Sequence, residues 1–173
     1  VEVAFIRPHG TSFAPRTPVA SNLAEGLQRL IDQLLAHVYP AHPVFEEEIR
    51  PAVLRKVAEE VRRAAEAPGG RIEVEKPLRD AMRKVAMPLE LGTMHEQAFI
   101  LDRRWANHFE RKSAEQPGEL TVARLRAWID EPKVKGLPRD FQDLVVLAFA
   151  DQTQRTFFLG NAPFRVDVGS LRD

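Results

Sequence analysis

Apolar residues recur at helical spacing in "SNLAEGLQRLIDQLLAHVYP", where Leu23, Leu27, Leu30, Ile31, Leu34, Leu35 and Val38 fall on one stripe. Ser21 stands where a side-chain cap is needed, and Pro40 ends the pattern. A second stripe, built from Val53, Leu54, Val57, Val61, Ala64 and Ala65, begins at Pro51, whose fixed φ suits a first helical turn. Pro68, Gly69 and Gly70 stop it. With only "YPAHPVF" between them, these two helices are expected to fold back as an antiparallel hairpin over 21–68. Helices of this length are marginal in isolation, so each stripe needs a surface to pack against.

Past the double glycine the period shortens. "RIEVEK" alternates as a strand, and "PLRDAMRKVA" returns to helical spacing with Pro77 at its start. Pro88 and Gly92 interrupt the next stretch, and "QAFIL" predicts a further strand. "RRWANHFERKSAE" and "TVARLRAWID" are helical, the second through Val122, Leu125, Trp128 and Ile129, with Pro132 forcing its exit. "GLPRDFQDLVVLAFADQTQRTFF" supplies another helix, and "TFFLGNAPFRVDV" a hairpin around Gly160 and Asn161. At the start, "VEVAFIRP" reads as a strand and the proline-rich "HGTSFAPRTPVAS" as an extended connector. The expected class is mainly α with small β elements (α+β). It comprises a strand and connector over 1–20, the helical hairpin over 21–68, and winged-helix-like units over 71–116 and 119–170, the second with the terminal hairpin.

The helix after "TVARLRAWIDEP" stands where a helix-turn-helix places its groove reader, but a reader needs a polar, preferably basic face. Residues 144–150 are all apolar, and Asp140, Asp143 and Asp151 flank them alongside Arg139 and Arg155. A helix apolar all round is buried, which favours a core role over groove insertion. Composition agrees. Lys plus Arg and Asp plus Glu both number 25, so no basic excess exists to displace phosphate counterions.

With 173 residues, 44% of them hydrophobic, the chain can bury a core of one domain or two small ones. Cysteine is absent, which rules out disulfides and thiolate zinc and accords with a cytoplasmic location. No apolar run approaches the roughly 20 residues that span a bilayer, so no membrane association is expected. The chain opens on Val1 with "VEVAFI" already strand-like, and it is expected to be an excised part of a longer protein.

Catalytic signatures are missing. No GxxxxGK[ST] loop follows a strand, Gly69 and Gly70 lead straight into Arg71, and no GxSxG elbow surrounds any serine. His9, His37, His42, His95 and His108 lack metal spacing, and "HEQAF" lacks the second histidine of HExxH. Glu46, Glu47 and Glu48 precede a helix, where its dipole alone favours carboxylates. Catalytic, cofactor and metal residues are therefore expected to be none. The remaining candidate is "LDRRWANHFERK": Arg103, Arg104, Arg111 and Lys112 to meet phosphates, with Trp105 and Phe109 to stack on bases. Aromatics four apart on a helix also read as core, and Asp102 and Glu110 dilute the charge.

Three phrases in order, "VASNLAEGLQRLIDQLLAHVYPAHPVF", "RKVAMPLELGTMHEQAFIL" with "RRWANHF", and "TVARLRAWIDEPKVKGLPRDFQDLVVLAFADQTQRTFF", resemble the large phage-resistance ATPases of bacterial phage growth limitation and BREX systems. The resemblance spans nearly the whole chain and rests on phrases, with no catalytic motif. It implies a region downstream of an ATPase core, in which a P-loop, ATP and Mg belong to the parent and no cofactor to this segment. The helical hairpin then resembles a lid, and Val1–Pro8 complete a sheet of the missing part. The implied role is a noncatalytic interaction and coupling module, with the rest of the parent ATPase, other defence-system proteins and DNA as possible partners. The alternative is a winged-helix DNA-binding module using "RRWANHFERK" and the terminal hairpin.

Overall fold

The first predicted helix forms over Leu23–Val38 (α1) in a computed structural model that describes residues 5–6, 12–164 and 166–169. Its cap lies one residue later than expected. Asn22 is the N-cap and accepts from the Glu25 N–H at 2.9 Å, while the Glu25 carboxylate reaches back to the N–H and hydroxyl of Ser21. The reciprocal pairing satisfies donors that a helix start leaves open, and the bond from Ser21 holds the Glu25 carboxyl below its ordinary pKa.

By its contacts the chain divides into two units, Val1–His42 with Asp130–Gly136 and Pro43–Ile129 with Leu137–Asp173. In the first, the strand expected over "VEVAFIRP" is described at Phe5–Ile6 (β1), and the rest of that stretch lies outside the described residues. β1 pairs antiparallel with Ser12–Phe13 (β2). The extended connector runs along α1, where the Gln33 amide both accepts from the Arg16 N–H and donates to the Arg16 carbonyl. Phe13 stacks on His37 at 4.4 Å between ring centroids. Gly136, at φ +58°, lies against Tyr39 so closely that a Cβ there would come within 2.1 Å of the ring.

In the second unit, Pro51–Glu66 (α2) has proline in its first turn as predicted and buries Leu54, Val57, Val61 and Ala64. Gly69 and Gly70 take positive φ in the turn that leads to Arg71–Glu73 (β3). Lys76–Ala81 (α3) runs on into a π-helical turn over Met82–Ala86, which buries Met82, Val85 and Ala86. Gly92–Met94 (β4) and Ala98–Leu101 (β5) complete an antiparallel sheet in the order β3-β5-β4. The strand β4 has no sequence pattern of its own. It exists because Gly92 fits under β5, where a Cβ would meet the Ile100 carbonyl at 2.3 Å and the Phe99 ring at 2.5 Å.

Three further helices follow as predicted: Arg104–Glu115 (α4), Val122–Ile129 (α5) and Arg139–Gln152 (α6). The expected terminal hairpin forms as Phe158–Leu159 (β6) and Ala162–Pro163 (β7), with Gly160 at φ +61° in the first position of its two-residue loop. α6 is the centre of the unit and packs on α2, α4 and α5. The α+β class with minor strands is the architecture observed.

Candidate functional site

α6 settles the question raised by its sequence. Every residue from Leu144 to Ala150 is buried, and Phe149 meets Phe109 edge-on at 5.0 Å. A helix with no exposed middle turn has nothing to present to a groove. Nor is its approach that of a helix-turn-helix, whose turn is about three or four residues, because residues 130–138 separate α5 from α6. At the centre of this packing the Arg126 guanidinium on α5 donates to the Asp143 carboxylate on α6, and the Gly169 N–H donates to the other carboxylate oxygen at 3.1 Å. Both ionic side chains are at least nine-tenths buried, so the pair ties two helices and the last turn together.

The basic and aromatic candidates lie on and just before α4, but its two faces separate them. Trp105 and Phe109 face inward, 6% and 0% exposed, and the Trp105 indole N–H donates to the Leu89 carbonyl at 2.8 Å. Neither ring offers a stacking face. Arg103, Arg104 and Arg111 are exposed and Lys112 is half-buried. Arg104 pairs with Glu90 at 3.1 Å, and Arg111 and Lys112 both reach Glu115, at 3.7 and 3.5 Å. The cations are thus on one surface and largely balanced by carboxylates.

Other sequence candidates are occupied structurally. Glu47 pairs with Lys84 at 2.9 Å, and Asp80 and Glu47 together raise the Lys84 pKa above its ordinary value. His42 bonds the Lys135 carbonyl and His108 the Trp128 carbonyl. His9 lies outside the described residues. Among the described residues no three His, Asp or Glu side chains converge as metal ligands.

Among the described residues, two apolar surfaces carry clusters of exposed side chains. On α1 no residue is buried: Leu23, Leu27 and Leu35 are 89%, 53% and 48% exposed. Separately, a groove of about 470 Å³ opens between the loop Glu119–Val122 and the terminal hairpin, with Phe149 and Ala150 at its floor. Of its lining residues, Phe158 and Leu159 are more than half exposed and Phe164 is 38% exposed. The Arg155 guanidinium lies over the Phe149 ring at 5.3 Å. Sequence reasoning passed over this groove, although "TFFLGNAPF" carries three phenylalanines and no charge in a hairpin too short to form a core.

A family model described as the fifth domain of the BREX system ATPase PglY matches residues 52–150. The match runs from α2 to the end of the apolar run in α6, so α1 and the terminal hairpin lie outside it. No solved structure matches the chain.

Proposed function

Because the chain belongs to the family of the fifth domain of the BREX system ATPase PglY, we propose that it is a noncatalytic interaction and coupling module of a phage-defence ATPase, working through protein contacts. The observation that carries this reading is the exposure of Leu23, Leu27 and Leu35 on the apolar stripe of α1, whose other members are only half-buried. A helix of 16 residues is about 24 Å long and about 10 Å wide, and so offers roughly 240 Å². A stable complex between separate proteins buries about 800 Å² per partner. So small a face suits a partner already tethered in the same polypeptide, where effective concentration replaces area. The occupant of the α1 stripe is accordingly another domain of the parent ATPase.

Hydrogen exchange tests this directly. The amides of α1 should exchange more slowly in the intact parent than in the 173-residue chain, and Leu23→Ser with Leu27→Ser should remove the difference. Equal exchange in parent and chain refutes the reading.

The DNA-binding alternative has the exposed Arg103, Arg104 and Arg111 in its favour. The order β3-β5-β4 also supports a winged-helix-like unit, although one helical run, Lys76–Ala86, stands between β3 and β4 where a helix-turn-helix needs two. With carboxylates beside the cations, duplex DNA should bind nonspecifically at best, with Kd in the range of about 10⁻⁴ to 10⁻⁶ M at physiological salt. Nanomolar, sequence-specific binding in a salt titration would make the alternative the better account.

A further inference from the structure

The terminal hairpin has one competent edge and one blocked edge. Phe158 is opposite Pro163, and the Phe164 N–H donates to the Phe157 carbonyl at 2.8 Å. Inward and outward hydrogen bonding alternates along an antiparallel strand, so the N–H and C=O of Phe158 turn to the outer edge of β6. The sheet has only two strands, and no third lies on that edge among the described residues. The outer edge of β7 is different. Its outward-facing residue is Pro163, which has no N–H to give.

We propose that β6 and the groove beside it receive an extended peptide segment of another protein, added as a third strand, with alternate apolar side chains in the groove and an acidic side chain at Arg155. Strand addition supplies affinity through the backbone and specificity through pockets for alternate residues. The groove provides such a pocket, floored by Phe149 and walled by Phe157 and Phe158. Charge sets the chemistry of the strand. Arg155 is held over Phe149 on the hairpin side and has no carboxylate partner among the described residues, whereas Glu119 lies on the loop across the groove. A carboxylate is therefore favoured beside the hairpin and disfavoured on the opposite wall. Nucleic acid is a poorer fit, because Arg155 is the single cation among the described residues lining the groove and Glu119 stands across from it, too little positive charge to hold a phosphate backbone. The inference concerns a surface separate from α1 and stands without the tethered contact argued above.

A library of random linear peptides displayed on phage, selected on the chain and counter-selected on its Phe158→Pro variant, provides the test. Enriched peptides should alternate apolar and polar residues and carry an Asp or Glu. In a fluorescence titration, Arg155→Gln should weaken an enriched peptide about tenfold, the worth of one charge-assisted bond. It should leave that peptide's Gln analogue unaffected. N-methylation of alternate peptide amides should abolish binding with every side chain retained. Arg155 is exposed, so its replacement leaves the core intact. No enrichment over Phe158→Pro, enrichment of peptides without an acid, equal binding of the N-methylated peptide, or duplex DNA binding lost on Arg155→Gln would each overturn the proposal. Leu23→Ser with Leu27→Ser should not alter peptide affinity, which separates this result from the fate of the α1 contact.

Discussion

Two leucines, one on an apolar helix and one on an amphipathic helix, should differ severalfold in the cost of the same truncation. Leu144, in the middle of α6, is 0% exposed, whereas Leu27 on α1 is 53% exposed. Leu144→Ala withdraws three carbons from the core, a transfer loss of roughly 2.4 kcal/mol at about 0.8 kcal/mol per methylene. A residual cavity of roughly 50 Å³ adds about 1 kcal/mol, for a total of about 3.5 kcal/mol. Leu27→Ala loses side-chain surface that is already half in water and leaves no enclosed void, so it should cost at most about 1 kcal/mol. Urea denaturation separates the two. Trp105 and Trp128 are both buried in the unit that contains Leu144 and report its unfolding by fluorescence, while far-ultraviolet circular dichroism includes α1. A cost below about 0.5 kcal/mol for Leu144→Ala would mean that the middle of α6 is exposed after all, and the groove-reader account would regain its footing. A cost above about 2 kcal/mol for Leu27→Ala would mean that the α1 stripe is already covered, removing the basis for the tethered contact.

Asp143→Ala should destabilise by about 3 to 5 kcal/mol because it strands the Arg126 guanidinium in the core, whereas Arg126→Met combined with Asp143→Leu should cost far less; denaturant midpoints compare them, and equal costs would refute the pairing argument. Burial raises the Asp151 carboxyl above its ordinary pKa, with Arg62 at 3.4 Å opposing the shift. Since the folded value exceeds the unfolded one, the favourable contribution is complete below the unfolded pKa and is lost as pH rises through the folded pKa. Asp151→Asn should therefore raise the urea midpoint near pH 7 and change it little near pH 3, and a midpoint lowered at neutral pH would show that the Arg62 bond outweighs burial.

Local order was readable along most of this chain because helical and strand periods are written in consecutive residues. The stripe of α2, the alternation of β3, the Gly160–Asn161 turn and the all-apolar middle of α6 each carried their own signal. The apolar run at 144–150 even determined that α6 is core, since no rotation of such a helix exposes a polar face. Other features depend on what lies across space. The strand β4 follows from the close approach of Gly92 to β5, and the one-residue shift of the α1 cap from competition between Ser21 and Asn22 for Glu25. The roles of the α4 aromatics were open in sequence, because a ring four residues from another packs or stacks according to which face the fold turns inward. Tertiary structure turned Trp105 and Phe109 toward the core and left the arginines outside. It also decided that the stripe on α2 is buried at Leu54, Val57, Val61 and Ala64, while the equally regular stripe on α1 is at most half-buried and leaves Leu23, Leu27 and Leu35 exposed. Amphipathicity states that a helix has a face to bury, and only the arrangement of neighbouring elements supplies what buries it.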